Sequence, residues 1–263
     1  LDPNEYDAIV SYKGQNSTIT KKVSVNVLST IEGNDTTLYY HNGTKYNALF
    51  LDKQGNPLKN TKVTFNINGV MYERTTDENG ITSGLTINLN PGTYIITATN
   101  PTTNQMYSNT ITVLPTIVTS NVVKYYKNGT QFEVKALDNH GNALAGQKVT
   151  FNINGVFYTR TTNADGIAIL NINLAPEEYV ITTECNGCTV SNTVNVLPII
   201  IGKNYSTIYH TGGKFNVTVL DGQGNPQSGV NVTFNINGVF YNKISDVNGI
   251  AGWNINLQPG QYS

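Results

Sequence analysis

The chain has 263 residues and a formal net charge of -1, and only 13% of its residues are charged. Because neither sign of charge dominates, composition excludes an electrostatic case for binding nucleic acid or an anionic membrane surface. Polarity comes instead from Thr and from 38 Asn residues, and no apolar run approaches the length of a membrane span.

Residues 1–30 match only the end of a longer repeat. Leu1–Tyr6, with Pro third and Tyr sixth, has counterparts at 89–94, 174–179 and 257–262. We expect residues 1–30 to form the closing hairpin of an incomplete repeat. The opening Leu-Asp-Pro resembles the middle of a longer chain, so we expect a signal, an anchor and the natural ends to lie outside this sequence.

One string defines the repeat. VTFNINGV occupies 63–70 and returns unchanged at 149–156 and again at 232–239. A period of about 85 residues is typical of small tandem domains and too long for a helical solenoid. We therefore divide the rest of the chain into a first repeat (31–115), a second (116–198) and a third (199–263). The third is expected to lack its last two strands.

The string predicts a half-buried strand, because Val63, Phe65 and Ile67 alternate with polar residues. The following Asn-Gly predicts a tight hairpin turn. Turn signals recur about every 8–12 residues, which is typical of a β-sandwich. In the first repeat the predicted strands are 37–40, 45–52, 62–68, 70–75, 85–89, 94–99 and 108–114.

The fold class predicted for the chain is all-β, with tandem seven-stranded immunoglobulin-like β-sandwiches. Short linkers containing Pro and β-branched residues predict that these sandwiches are arranged as a rod. A tyrosine follows each predicted corner before the sixth strand, which is the place of a structural tyrosine corner. These tyrosines are Tyr6, Tyr94, Tyr179 and Tyr262.

The two cysteines, Cys185 and Cys188, flank an Asn-Gly turn. A CxxC pair is compatible with a redox motif or half of a zinc site, but zinc needs four ligands and a thioredoxin-like site needs a βαβ unit. We favour a hairpin whose cysteines form a disulfide in an oxidising compartment.

No catalytic constellation is predicted. His41 and His210 share a repeat position that is Lys127 in the second repeat, and His140 lies in a loop, so we interpret these histidines as solvated. Calcium is a weaker expectation, because recurrent loop residues offer oxygen ligands. The alternative is that they only close turns. These residues are Asp52, Asp138 and Asp221 in one loop, and Asp77, Asn163 and Asp246 in another.

Seven Asn-x-Ser/Thr sequons are candidate glycosylation sites. We favour Asn42 and Asn128, which share one turn that we expect to be exposed. The others are Asn16, Asn34, Asn204, Asn216 and Asn231. Aromatic residues near the surface suggest a carbohydrate-binding surface module as an alternative function, with an edge strand as the plainer interpretation. They are Tyr39, Tyr40, Tyr125, Tyr126 and Tyr209.

Three motifs carry a resemblance to a known family. Asp-x-x-Gly-Asn-(Pro/Ala), VTFNINGVxY and Ile-Asn-Leu-x-Pro-(Gly/Glu)-x-Tyr together resemble bacterial-type immunoglobulin-like repeats, broadly those of invasin and intimin. The Asn-, Thr- and Tyr-rich composition resembles more closely the adhesin-like surface proteins of methanogenic archaea. The resemblance implies an extracellular, cell-surface stalk without catalytic residues. It also implies Lys–Asn isopeptide bonds in some members, but no lysine recurs at an apolar place in all three repeats.

The function we expect is that of a non-enzymatic structural or adhesive subunit of a stalk or filament. Residues 1–30 of one chain would complete residues 199–263 of the next by strand complementation. The rival interpretation is a window on a longer covalent repeat, whose partners are the adjoining repeats. Cell-surface glycans or proteins are the other expected partners.

Overall fold

The computed structural model of the chain describes residues 1–262, and all regular secondary structure in that range is β-strand. The prediction of an all-β chain is therefore confirmed. Two compact units are present. The first comprises residues 1–116 together with Asn139–Gly141, and the second comprises residues 117–138 together with the chain from Asn142 onward.

The first unit begins with a long antiparallel hairpin formed by β1 (Asn4–Lys13) and β2 (Thr18–Val27). Its registry places Tyr6 opposite Val25. Within residues 1–262 these two strands pair only with each other. The hairpin therefore offers unpaired main-chain groups along both of its outer edges.

The first repeat forms two facing layers. One is a five-stranded sheet of order β4-β11-β10-β7-β8, antiparallel except for parallel β4 and β11, and the other contains the pairs β3–β6 and β5–β9. The strands are β3 (Ile31–Gly33), β4 (Thr36–Tyr39), β5 (Lys45–Tyr46), β6 (Ala48–Phe50), β7 (Lys62–Ile67), β8 (Val70–Thr75), β9 (Leu85–Thr86), β10 (Gly92–Thr99) and β11 (Met106–Leu114).

The start of the first repeat differs from the sequence prediction. Instead of one strand over 37–40, β3 pairs with β6 in one layer and β4 pairs with β11 in the other. The crossing lies at Asp35, whose Oδ1 accepts hydrogen bonds from the Thr110 main-chain N–H at 2.7 Å and from Asn109 Nδ2 at 3.3 Å. These hydrogen bonds lower the pKa of Asp35. The carboxylate thus holds the chain where it changes sheets.

The second repeat has the same arrangement in the second unit. Its larger sheet has the order β13-β19-β18-β15-β16, and its smaller sheet has the order β12-β14-β17. The strands are β12 (Ile117–Thr119), β13 (Val122–Tyr125), β14 (Gln131–Ala136), β15 (Lys148–Ile153), β16 (Val156–Thr161), β17 (Ile167–Asn171), β18 (Glu177–Cys185) and β19 (Cys188–Leu197).

The third repeat, also in the second unit, has a complete small sheet and a reduced large sheet. The small sheet has the order β20-β21-β24, whereas the large sheet contains only β22 and β23 among the described residues. The strands are β20 (Ile200–Gly202), β21 (Lys214–Val219), β22 (Asn231–Ile236), β23 (Val239–Ile244) and β24 (Ile250–Asn254).

The recurring string supplies the centre of each core. In β15 the side chains of Val149, Phe151 and Ile153 are buried, and Phe151 meets Phe132 edge to face with ring centroids 6.1 Å apart. The following Asn154 and Gly155 have φ values of 51° and 80°, as the predicted hairpin turn requires. Strand alternation and turn chemistry therefore act together to fix which face of the string is buried.

The burial of Phe151 predicts a large difference between two neighbouring phenylalanines. Phe151→Ala should lower the free energy of unfolding by about 3–5 kcal/mol, because it removes a fully buried ring and leaves a cavity. Phe157→Ala on the adjacent strand removes a ring that is 67% exposed. It should change the free energy of unfolding by no more than about 0.5 kcal/mol. Denaturant unfolding measures both, and equal losses would contradict this assignment of the core.

Candidate functional site

The candidate site is the edge of β22. In the complete repeats the matching strand has two neighbours, since β7 lies between β8 and β10 and β15 lies between β16 and β18. Among residues 1–262, β22 pairs only with β23. Its second edge therefore has no main-chain hydrogen-bond partner from another strand in the described chain.

The core beside this edge is also less covered than its counterparts. Ile236 is half-buried, whereas Ile67 and Ile153 at the same repeat position are buried. Phe215 is likewise half-buried, whereas Tyr46 at its position is fully buried. Along β22 itself Val232 and Phe234 remain buried at 7% and 8%, so the loss of cover beside the unpaired edge is confined to Ile236.

The segment before β21 lacks a strand that the other repeats have. β4 and β13 each run parallel to the last strand of their own repeat, β11 and β19. The equivalent residues 205–208 are outside any strand, and Ile208 is 78% exposed. Among the described residues, the irregular backbone of 205–208 and the open edge of β22 thus occur in the same repeat.

The β1–β2 hairpin has the complementary pattern. Val10 and Val25 are 58% and 41% exposed. The residues at the same repeat positions in β10 and β11, Ala98 and Ile111, are fully buried. Positions that are buried in the first repeat are therefore exposed in the hairpin.

Each of the four tyrosines at a predicted corner donates a hydrogen bond from its hydroxyl to the carbonyl oxygen four residues earlier. In the hairpin and in the two complete repeats this contact links the first residues of a strand to the chain before it, and the same contact is present after β24 in the third repeat. The bonds are Tyr6 to Asp2 at 2.7 Å, Tyr94 to Asn90 at 2.8 Å, Tyr179 to Ala175 at 3.0 Å and Tyr262 to Gln258 at 2.8 Å.

The aromatic residues considered for sugar binding are partly covered. A β-carbon on Gly141 would lie 2.6 Å from Cε2 of Tyr39, and one on Gly224 would lie 2.6 Å from Cζ of Tyr125. Both rings therefore pack against glycine main chain and are half-buried. Because each ring contacts the loop of the following repeat, the plainer interpretation as an edge strand is favoured for Tyr39 and Tyr125.

The loop carboxylates considered for calcium close their own turns. Asp52 Oδ1 accepts hydrogen bonds from the main-chain N–H groups of Asn56 and Gln54, both at 2.9 Å. The bond from Asn56 is the main cause of a lowered pKa at Asp52, and the bond from Asn225 lowers the pKa of Asp221 in the same way. In the described range no three His, Cys, Asp or Glu side chains are grouped to hold a metal.

The second calcium loop is closed in the same way. The side-chain Oδ1 atoms of Asp77, Asn163 and Asp246 each accept hydrogen bonds from main-chain N–H groups two and four residues later, at 2.8–3.0 Å. Asp138 accepts one from Asn142 at 2.8 Å. These contacts favour the turn-closing interpretation of all six positions.

The histidine position shared with lysine is a left-handed turn position. His41, Lys127 and His210 have φ values of 56°, 60° and 61°. The shared requirement is thus a backbone conformation in a turn, which either residue type adopts. His140 lies separately, in an exposed loop.

The cysteines lie opposite each other at the end of the β18–β19 hairpin and flank Asn186 and Gly187. Both are free, buried thiols. Burial is the main cause of a raised pKa at Cys185, with smaller contributions from Glu184 and Cys188. The thiol is therefore held protonated and weakly nucleophilic. A Cys185–Cys188 disulfide stays a prediction.

The sequons fall into two groups. Asn42 and Asn128 are half-buried, whereas the residues directly before and after each of them are exposed. Each Oδ1 accepts a main-chain N–H two residues later, and Asn128 Nδ2 also donates to the Gly222 carbonyl at 2.5 Å. The exposed sequon asparagines are Asn16, Asn34, Asn204, Asn216 and Asn231.

Sequence reasoning missed a buried lysine. Lys124 is 5% exposed, and its Nζ donates to the main-chain carbonyls of Thr130 at 2.9 Å and Ile172 at 2.8 Å. Burial lowers the pKa of Lys124. Aligning the repeats could have revealed it, because Lys124 occupies the position of Leu38 in the first repeat, and Leu38 is buried.

Comparison with known proteins adds little beyond the fold. No protein-family model and no curated protein matches the chain. Among residues 1–262 no helix has the length and apolarity needed to cross a membrane.

Several solved structures are similar at low identity. The I9–I11 tandem of titin matches with 14% identity and a TM-score of 0.32, covering 87% of this chain and 90% of that chain. Invasin, a bacterial integrin-binding protein, matches with 18% identity and a TM-score of 0.29, covering 84% and 53%. A Ca2+-stabilised adhesin with which an Antarctic bacterium binds ice matches with 17% identity and a TM-score of 0.25, covering 96% and 73%. At these values the similarity carries no argument about function.

The loop geometry predicts that calcium does not stabilise this chain. The midpoint of thermal unfolding should be the same in excess calcium and in excess chelator, because the candidate oxygens already accept main-chain hydrogen bonds. Asp77→Ala should lower that midpoint equally in both buffers, since it removes turn contacts and no metal ligand. A midpoint that rises with calcium in the wild-type chain, but not in the variant, contradicts this prediction.

Lys124 predicts a pH dependence of known sign. A lysine whose pKa is lowered on folding destabilises the folded state, because its protonated form is buried at a cost. This cost is complete below the folded-state pKa and is absent above the ordinary pKa of 10.5. The free energy of unfolding of the wild-type chain, measured relative to Lys124→Met, should therefore rise between neutral pH and pH 10.5. Exposed Lys135→Met on β14 is the control and should give no such trend. A flat or falling difference for Lys124 would be inconsistent with a buried ammonium group.

Proposed function

We propose that this chain is an extracellular, non-enzymatic structural or adhesive subunit whose copies join head to tail by strand complementation. The hairpin β1–β2 of one copy inserts beside β22 of the next. The observation that carries the proposal is the unpaired edge of β22 beside a partly uncovered core, together with an unpaired hairpin of matching pattern.

The registry of the complete repeats gives the registry of the proposed joint. Ile96 and Ala98 of β10 lie opposite Ile67 and Phe65 of β7. The residues at those repeat positions in the hairpin are Ala8 and Val10, and those in the third repeat are Ile236 and Phe234. In the joint, Ala8 therefore lies opposite Ile236, and Val10 lies opposite Phe234.

The second strand of the hairpin, β2, would pair with residues 205–208 of the third repeat. Leu114 of β11 lies beside Tyr39 of β4, and Leu197 of β19 lies beside Tyr125 of β13. At the matching positions Leu28 and Ile208 are 75% and 78% exposed. Pairing them would order residues 205–208 as a strand and cover part of two large apolar side chains, since Tyr39 and Leu114 are half-buried in the formed pair.

The energy of the joint comes from main-chain pairing and apolar burial. Residues 1–30 contain three acidic and three basic side chains, and the third repeat contains two acidic and three basic ones. Neither surface has a strong net charge, so association should be insensitive to salt. Insensitivity to salt would distinguish this association from one that is driven by opposite charges.

The resemblance of the repeat motifs to bacterial-type immunoglobulin-like repeats supports a place outside the cell, where cell-surface glycans or proteins are further partners. Glycans are proposed for the five exposed sequon asparagines. The rival of self-assembly is that adjoining repeats of a longer chain supply the missing strands. A carbohydrate-binding module loses support because Tyr39 and Tyr125 pack against glycine main chain.

Two substitutions on one strand test the proposal. Light scattering after size exclusion should show concentration-dependent assembly of the wild-type chain. Val10→Asp should weaken assembly by at least about 100-fold, because it places a charge in the completed core. Ile9→Asp, on the outward face of the same strand and 72% exposed, should assemble as the wild type does.

Deletion of residues 1–30 should leave only monomers, and high salt should not dissociate the wild-type assemblies. A wild-type chain that is monomeric at every concentration, or a Val10→Asp chain that assembles normally, would overturn the proposal. The first result would favour adjoining repeats as the partners.

A further inference from the structure

A repeated contact marks where one repeat meets the loop of the next. In the first unit the ring of Tyr39 lies against Gly141, so closely that a β-carbon there would be 2.6 Å from Cε2. In the second unit the ring of Tyr125 lies in the same way against Gly224. We call the first residue of each pair the knob and the glycine the socket.

Each socket has a backbone shape that glycine favours. Gly55, Gly141 and Gly224 occupy the same place in the Asp-x-x-Gly-Asn loop, with φ values of 83°, 87° and 87°. The main-chain N–H of Gly55 donates to the Asp52 carbonyl at 3.1 Å, as that of Gly224 does to Asp221. The socket at Gly55 is therefore already formed in the same conformation as the occupied ones.

One socket and one knob are left uncovered in the described chain. No atom lies within 4 Å of a β-carbon built on Gly55, apart from its chain neighbours. The knob position of the third repeat is Ile208, which is 78% exposed. His210, two residues after Ile208, has a left-handed φ of 61°. His41 and Lys127 have the same left-handed conformation two residues after the other knobs. The turn that presents the knob is thus retained.

The number of residues between the strand beside the knob and the socket glycine is the same in all three cases. Leu114, which lies beside the knob Tyr39, precedes the socket Gly141. Leu197, which lies beside Tyr125, precedes Gly224 by the same interval in the sequence. Leu28 precedes Gly55 by that interval as well. A hairpin that places Leu28 beside Ile208 therefore brings the Gly55 loop to the distance from the knob that both formed contacts have.

We propose that Ile208 of one copy packs against Gly55 of the next copy, so that the joint between copies repeats the contact made between consecutive repeats of one chain. The inference rests on the proposed strand complementation and adds a second, separate contact to it. The partner is a second copy of this chain, because its first repeat carries both the hairpin and an empty socket at the required spacing. The contact would fix the orientation of the first repeat of one copy relative to the third repeat of the other.

Two glycine substitutions separate this contact from the stability of the loop. Gly55→Ala and Gly69→Ala both place a β-carbon at a positive φ in the first repeat, at 83° and 77°, with nothing within 4 Å. Their thermal unfolding should therefore be affected alike. In an Ile208→Tyr background, self-association measured by light scattering should weaken by about tenfold in Gly55→Ala alone, because in both formed contacts a β-carbon at the socket would lie 2.6 Å from an atom of the tyrosine ring.

A gain of affinity gives the converse test. Ile208→Tyr restores the residue of the two formed contacts and should strengthen self-association by about tenfold. Ile244→Tyr makes the same change at a position that is 71% exposed and lies outside the joint, so it should have no effect.

The outcomes distinguish the two proposals. If the wild-type chain assembles and Val10→Asp does not, but Gly55→Ala matches Gly69→Ala, strand complementation stands and the knob contact is overturned. An Ile208→Tyr variant that assembles no better than Ile244→Tyr would also overturn it. A wild-type chain that stays monomeric would overturn both proposals.

Discussion

The pairing of the central strand on both of its edges is the constraint on which each sandwich depends. In the second repeat β15 is held between β16 and β18, which places Phe151 in a closed core. An unpaired strand edge leaves main-chain donors and acceptors without protein partners and exposes the side chains that the neighbouring strand would cover. In the third repeat the open edge of β22, the half-buried Ile236 and the irregular segment 205–208 occur together among the described residues.

The last strand of a repeat has two roles. β11 and β19 each close the sheet of their own repeat and then lead directly into the next one. Because the strand that completes a sandwich is continuous with the following domain, completing the sandwich also determines where the following loop arrives.

Local features of the fold were readable from the sequence. The alternation in VTFNI and the Asn-Gly turn predicted β7 with β8, and the same pair in the other repeats, because both depend on residues within a few positions of each other. The change of sheet between β3 and β4 was not predictable, because it depends on Asp35 accepting a hydrogen bond from Thr110, 75 residues away.

The same distinction applies to the candidate site. The matching patterns of residues 1–30 and 199–263 are visible as repeats, so the site could be proposed from the sequence. The half-burial of Asn128 and the packing of Tyr125 depend on a loop more than one repeat later in the chain, which periodicity does not reveal. Lys124 was overlooked because strand alternation alone does not show that a charged residue occupies an apolar position.

Amide hydrogen exchange along β22, measured as a function of protein concentration, tests the central claim most directly. Amides of 231–236 that do not bond to β23 should exchange quickly in dilute solution. At high concentration they should become as protected as the matching amides of β15, which already lies between two strands. Rapid exchange of these β22 amides at every concentration, with β15 protected throughout, would contradict strand complementation between copies.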